Sequence, residues 1–414
     1  MKIGLVVYGA LDRRSGGFLY DRRLVDGLRG RGHSVTVYGQ AEGPYLTQLR
    51  RGHFPDRRVI EGSRDLDVLI EDELNHPSLL GTNRAIRALR RRGIRSPKIV
   101  AVVHHLRSSE RLSLPGRLLA RLAERRFLRG VDAAVYNSRT TESSVLRLLG
   151  GPSTGAELPG LVAPPGVSAL PCGPPEESTP AGQNPAVGSA PAGQNPAAGS
   201  TPAGQNPAAG STPAARGAPA ANAIYTGGEE APRLRLLFVG NIIPRKGLLP
   251  LLRAIETLRP GERRSVALTI AGGLDANPGY RRRVERAIRR IGAECTVRLL
   301  GRVDDYTLCR LYLSHDVLAA PSFYEGYGMV YAEAQRYGLA VLAGRGGAGP
   351  EVIDDGTTGL LVDPGKPDTI RRALRRLLEE PALGARMGQA GRRGPHWRWE
   401  DTVAAVEAFL LEQR

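Results

Sequence analysis

Pro321-Ser-Phe-Tyr-Glu325-Gly-Tyr-Gly328-Met-Val-Tyr-Ala-Glu333-Ala334 is the stretch on which the reading of this chain turns. The apolar run 317–320 before it reads as a buried strand, Gly326 and Gly328 allow a tight turn, and 329–337 reads as a helix. Glu325 then lies on the loop at the strand's carboxyl end, and Glu333 lies about one turn into the helix. Between them run the backbone amides of a helix N-terminus, which favour an anion.

The same alternation extends outward on both sides. Residues 233–394 give strands at 234–239, 266–271, 297–300, 340–343 and 360–362, with helices at 248–258, 280–291 and 305–314. Residues 1–168 give strands at 3–8, 34–38, 66–70, 99–103 and 133–136, with helices at 19–28, 78–92, 117–129 and 139–149. Strands separated by helices predict parallel sheets covered on both faces. Residues 171–231 differ in kind. STPAGQNPAVG starts at Ser178 and recurs with small changes at Ser189 and Ser200, and proline in each copy with no apolar stripe predicts a disordered linker. Such a chain reaches about 40 Å.

At 414 residues the chain suits two domains. Its net charge of +17 is almost all arginine, since the only lysines are Lys2, Lys98, Lys246 and Lys366. That charge raises nucleic acid, an anionic membrane or a phosphorylated small molecule as partners. With aromatics at 5% and no recognisable binding module, nucleic acid is set aside. The three cysteines form no C-x-x-C pair, which predicts a reduced, metal-free protein. No long apolar window is found, so the expected location is cytoplasmic, or peripheral at the inner face of a membrane. The segment 114–128, with Leu118, Leu119, Leu122, Ala123 and Phe127 among arginines, could lie on an anionic membrane, but its place between two strands favours a helix with that stripe packed on the sheet.

The Glu325-to-Glu333 run resembles the E-x7-E signature of retaining glycosyltransferases of the GT-B fold, in particular glycosyltransferase family 4, and similar blocks follow in order along the chain. The resemblance implies two Rossmann-like domains facing a central cleft: 1–168 on the acceptor side, 232–394 for the nucleotide sugar, and a final helix within 395–414 crossing back to the first domain. It implies transfer of a hexosyl unit from a nucleotide-diphosphate sugar to a sugar, lipid-linked or small-molecule acceptor, with no cofactor and no obligatory metal.

In that reading Glu325 binds hydroxyls of the donor sugar and Glu333 binds the ribose, while the amides near Gly328, Met329 and Val330 face the diphosphate. Gly240-Asn-Ile-Ile-Pro-Arg245-Lys246-Gly247 resembles the family's phosphate-binding block. Two cations at a helix N-terminus suit a diphosphate, although Asn241 stands where many members carry arginine. Arg302 and Val303 border the base. Gly16 and Gly17 approach the donor phosphates from the first domain, and His104, or His105 beside it, contacts the donor sugar. Asn137-Ser138-Arg139 shapes the acceptor side, and Glu351 closes a glycine-rich stretch bordering the donor. Other GT-B enzymes, an epimerase or a phosphorylase, are the alternative. A phosphorylase needs a cofactor lysine, for which only Lys366 remains. A non-enzymatic basic binding protein is the alternative from outside the enzymes.

Overall fold

The computed structural model describes residues 1–11, 15–110, 112–151, 158–172, 224–226 and 232–414. The repeats expected to be disordered lie outside them. The N-terminal sheet holds β1 (Lys2–Tyr8), β2 (Ser34–Gln40), β3 (Val68–Asp72), β4 (Lys98–Val103), β5 (Ala133–Tyr136) and β6 (Gly160–Val162). They pair in parallel in the order β2-β1-β3-β4-β5-β6. The connections carry α1 (Gly16–Gly30), the short α2 (Tyr45–Arg51) and α3 (Arg57–Gly62), α4 (His76–Arg91), α5 (Leu114–Leu128) and α6 (Arg139–Leu149).

In the second sheet, β7 (Ile224–Thr226) is an antiparallel edge strand beside β10 (Thr296–Gly301). β8 (Leu234–Val239), β9 (Val266–Ala271), β11 (Val317–Ala320), β12 (Ala340–Gly344) and β13 (Gly359–Val362) complete the order β13-β12-β11-β8-β9-β10-β7. Its helices are α7 (Leu248–Glu256), α8 (Pro260–Arg264), α9 (Pro278–Ile291), α10 (Asp305–Ser314), α11 (Met329–Arg336), α12 (Gly349–Val352), α13 (Pro367–Glu379) and α14 (Pro381–Arg393). In such sheets the loops beyond the strands' carboxyl ends form the binding edge.

The last helix, α15 (Trp399–Glu412), belongs to the other domain's core. Its Trp399, Val403, Val406 and Leu410 are buried with Tyr20, Leu24, Val25 and Leu28 of α1. This is the crossing that the resemblance implies.

Three expectations need correction. The strand expected at 66–70 runs instead from Val68 to Asp72, all of it buried, because Glu71 and Asp72 do not face solvent as their charge suggests. Cys172 and Cys309 form a disulfide across 137 residues, their Cα atoms 5.6 Å apart, so the chain is not fully reduced; only folding brings α10 beside the end of the 158–172 segment. Finally, α5 buries Ala120, Ala123, Glu124 and Phe127, while Leu118 and Leu122 of the expected buried stripe are exposed at 62% and 67%. The helix is both packed and, on its other face, apolar and open. Among the described residues no helix is long and apolar enough to cross a membrane.

Candidate active site

Arg245 and Lys246 close a 3-10 turn, Pro244–Lys246, between β8 and α7, and Glu325 stands on the loop between β11 and α11. β8 and β11 are neighbours, so the two loops run side by side. Phe323 N–H donates to the Arg245 carbonyl at 2.8 Å, and Ala348 N–H, from the loop after β12, donates to the Glu325 carbonyl at 2.9 Å. Gly247 makes the turn possible: its φ is 73°, and a Cβ there would fall on the Pro321 carbonyl oxygen.

The side chains converge in turn. Lys246 Nζ donates to Glu325 Oε1 at 2.7 Å, Arg245 Nη1 to Oε2 at 3.2 Å, and Ser322 Oγ to Oε1 at 2.5 Å. Burial would raise the Glu325 carboxyl, but Lys246 and Arg245 hold it down at about 2. It is therefore a permanent anion and cannot serve as a general acid at neutral pH. Lys246 is lowered, burial outweighing the attraction of Glu325. Glu333 takes a hydrogen bond from the Tyr312 hydroxyl at 2.9 Å, yet burial pushes its carboxyl up to about 7.

The starts of α1 after Ser15, α7 after Gly247 and α11 after Gly328 at this edge carry no capping side-chain hydrogen bond, and neither does that of the four-residue α12. By contrast α6, α9 and α10 are capped by Ser138, Asn277 and Asp304. Helix starts that lack such a cap remain available to an outside anion. The domains meet here: a Cβ on Gly16 would stand 3.3 Å from Met329 Sδ, and one on Gly326 would strike the His104 carbonyl oxygen. Gly17 lies against the His104 ring. His104 Nε2 is 3.1 Å from Asp21 Oδ1; although burial opposes its cation, Asp21 with Asp72 and Glu73 raises it to about 9.

Glu325, Arg245 and Lys246 are thus directly joined, with Gly328 and Met329 following Glu325 in the same loop and helix, and Gly16, Gly17 and His104 across the domain boundary. Arg302 is not in this cluster. It pairs with Asp275 at 3.1 Å and lies with Asn241 against Gly273, on the neighbouring rim, with Val303 next to it. Val330 sits half-buried in the first turn of α11.

Further residues join the two domains at this edge. Glu110 spans the boundary, 3.4 Å from Arg245 Nε and 3.1 Å from His105 Nε2. Asp21, on α1, holds His104. Ser138 and Thr141 both donate to the Gly326 carbonyl, and Glu351 accepts from Arg139 N–H at 2.9 Å and Thr140 N–H at 2.6 Å. The Asn137-Ser138-Arg139 block therefore latches the domains together. Ser138, Arg139 and Glu351 lie in blocks that the resemblance marks and Ser322 lies inside the decisive run, whereas Glu110, Asp21 and Thr141 carry no signal in the sequence.

Residues 227–394 match the family Glycosyl transferases group 1. A D-inositol 3-phosphate glycosyltransferase of Streptomyces avermitilis is 34% identical over 194 residues, 44% of this chain and 42% of that relative. A GDP-mannose-dependent alpha-(1-6)-phosphatidylinositol monomannoside mannosyltransferase of Mycolicibacterium smegmatis is 34% identical over 187 residues, 42% of this chain and 47% of that relative. The chain spans less than half the length of these curated relatives. Sucrose-phosphate synthase of Thermosynechococcus elongatus superposes with a TM-score of 0.69 at 17% identity, over 99% of this chain and 98% of that one. The match to Glycosyl transferases group 1 thus covers the C-terminal domain, and the chain as a whole has the two-domain fold of its solved neighbour.

Proposed function

We propose that the protein is a retaining glycosyltransferase, moving a hexosyl unit from a nucleotide-diphosphate sugar to an acceptor in glycan, polysaccharide or glycolipid biosynthesis. The observation that carries this reading is the Lys246–Glu325–Arg245 cluster set among three helix starts without side-chain caps. In this reading the donor diphosphate lies beside Lys246, Arg245 and the amides of α1 and α11. Those groups stabilise the charge that develops as the sugar leaves. Glu325, always ionised, accepts hydrogen bonds from the sugar, and Glu333 accepts from the ribose. Side chains and amides supply the positive charge, so no metal is required at this cluster. The two relatives are named for inositol-based acceptors, one of them a lipid, and we place the acceptor in that broad class of polyols and glycolipids.

Incubation with UDP-, GDP- and ADP-sugars is expected to give donor hydrolysis or transfer with at least one of them. Absence of turnover and of nucleotide-sugar binding across the panel would overturn the reading. The same assay carries a pH signature. Glu333 is neutral below about pH 7, and only its carboxylate accepts from two hydroxyls. Turnover at subsaturating donor should therefore rise from pH 6 to pH 8 around the pKa of about 7, and flatten in Glu333→Gln.

We further propose that the protein works at the cytoplasmic face of a membrane, through α5. Leu114, Leu118 and Leu122 form an exposed stripe flanked by exposed Arg117 and Arg121. An apolar stripe between cations fits an anionic lipid surface. Vesicles containing phosphatidylglycerol should sediment the protein in a salt-sensitive manner, and Leu118→Glu with Leu122→Glu should abolish this. Equal sedimentation of the double variant would remove α5 from the interaction.

A further inference from the structure

We propose that Glu73, His76 and Glu124 form a binding site for a divalent transition-metal ion in the N-terminal domain. Glu73 lies in the turn after β3, His76 opens α4, and Glu124 comes from the middle of α5. One ligand atom from each lies within 4.8 Å of the others, and all three residues are buried. The site is separate from the Lys246 cluster and does not rest on the glycosyl-transfer reading.

The decisive observation is what these carboxylates lack. Glu73 is 1% exposed, and neither of its carboxylate oxygens has a hydrogen-bond partner; Glu124 Oε2, in a residue 0% exposed, has none either. No lysine or arginine pairs with them among the described residues; the basic group in contact is His76, whose Nδ1 is 3.2 Å from Glu73 Oε1 and 3.0 Å from the Glu73 carbonyl oxygen. Buried carboxylates without counter-charge are strongly disfavoured.

The atoms that are satisfied are those a metal site needs fixed. His76 Nε2 is 2.9 Å from the Tyr45 hydroxyl, and Glu124 Oε1 accepts from Ser108 N–H at 3.1 Å. His76 and Glu124 are thus each held from outside through one atom, Glu124 Oε2 and both Glu73 oxygens remain for the ion, and His76 Nδ1 would exchange its contact with the Glu73 carbonyl for it. Ligand atoms about 2.1 Å from one ion lie at most about 4.2 Å apart, close to the spread of these atoms as they stand. Such a space suits a single ion and not a sugar. Two carboxylates with an imidazole fit Mn2+ or Zn2+ better than Ca2+ or Mg2+, which prefer oxygen throughout. The ion would replace the Nδ1 proton, releasing it, and would tie the β3 turn, α4 and α5 together beneath the cleft.

The test uses the full chain, stripped with chelator and dialysed, then titrated with MnCl2 or ZnCl2 against MgCl2, with metal content read after gel filtration. One equivalent of manganese or zinc per chain is expected, with a raised melting temperature. Glu73→Gln and Glu124→Gln should each weaken binding by about 10–100-fold or more, whereas Asp72→Asn should not. Nitrogen hyperfine coupling to bound Mn2+ should vanish in His76→Gln. Failure of the wild-type chain to retain either ion at millimolar concentration overturns the proposal, whatever the variants do. So does unchanged stoichiometry in the folded Glu73→Gln/Glu124→Gln chain, or equal loss in Asp72→Asn.

Discussion

Lys246→Ala is expected to lower donor turnover by about a thousandfold, the size of effect seen when a donor to developing transition-state charge is removed. Lys246 is the cation nearest Glu325, at 2.7 Å, and in the proposed reaction it stands by the leaving diphosphate. Glu325→Gln should cost about a hundredfold or more, because an amide keeps the shape but presents one acceptor oxygen and a donor where the carboxylate has two acceptors. The double variant should fall well short of the product of the two losses, since the residues touch and act as a unit. Steady-state kinetics with the accepted donor decides it, and turnover of either single variant within tenfold of wild type would sink the assignment. Stability gives an independent readout. With its folded pKa held at about 2 against 4.5, Glu325 contributes stability that is fully present above the ordinary carboxyl range and is lost as pH falls towards 2. Glu325→Gln should be less stable than wild type at neutral pH, with the gap closing in acid.

Truncation after Gly394 is expected to cost the N-terminal domain its cooperative folding. The removed helix supplies Trp399, Val403, Val406 and Leu410 to the core built on α1 and the N-terminal sheet. It is also held at its start, where the Thr402 hydroxyl donates to the Pro164 carbonyl at 2.6 Å. Without α15, the side of α1 that Trp399, Val403, Val406 and Leu410 cover is opened to water. A milder version keeps the helix: Leu410→Ala should cost about 2–5 kcal/mol, because the side chain is 0% exposed and leaves a cavity. Calorimetry of the three chains distinguishes the outcomes. A truncated chain melting within about 2 °C of full length would show that α15 is not part of that core.

The strands were legible because parallel sheets buried on both faces leave near-continuous apolar runs. The expected strands at 133–136, 266–271 and 317–320 coincide with β5, β9 and β11. The short β6, with its Gly160, and α12, with its proline, carry too little periodicity to stand out. The Lys246–Glu325–Arg245 cluster could be anticipated for a related reason: these residues stand on loops that follow strands, and strand order delivers those loops to one edge. Glu110, Asp21 and the Glu73–His76–Glu124 group could not, since none follows a recognisable block.

Sequence alone determined two α/β units and the identity of the loops that carry charge, because these follow from local periodicity and from which residues flank a strand. Tertiary structure alone decided the buried acids around β3, the outward turn of Leu118 and Leu122, the Cys172–Cys309 bond and the latch of Ser138 and Glu351 across the domains. Each depends on the rotation of an element or on contact between distant segments, and neither hydrophobic period nor residue spacing encodes which way a packed helix turns or what meets it.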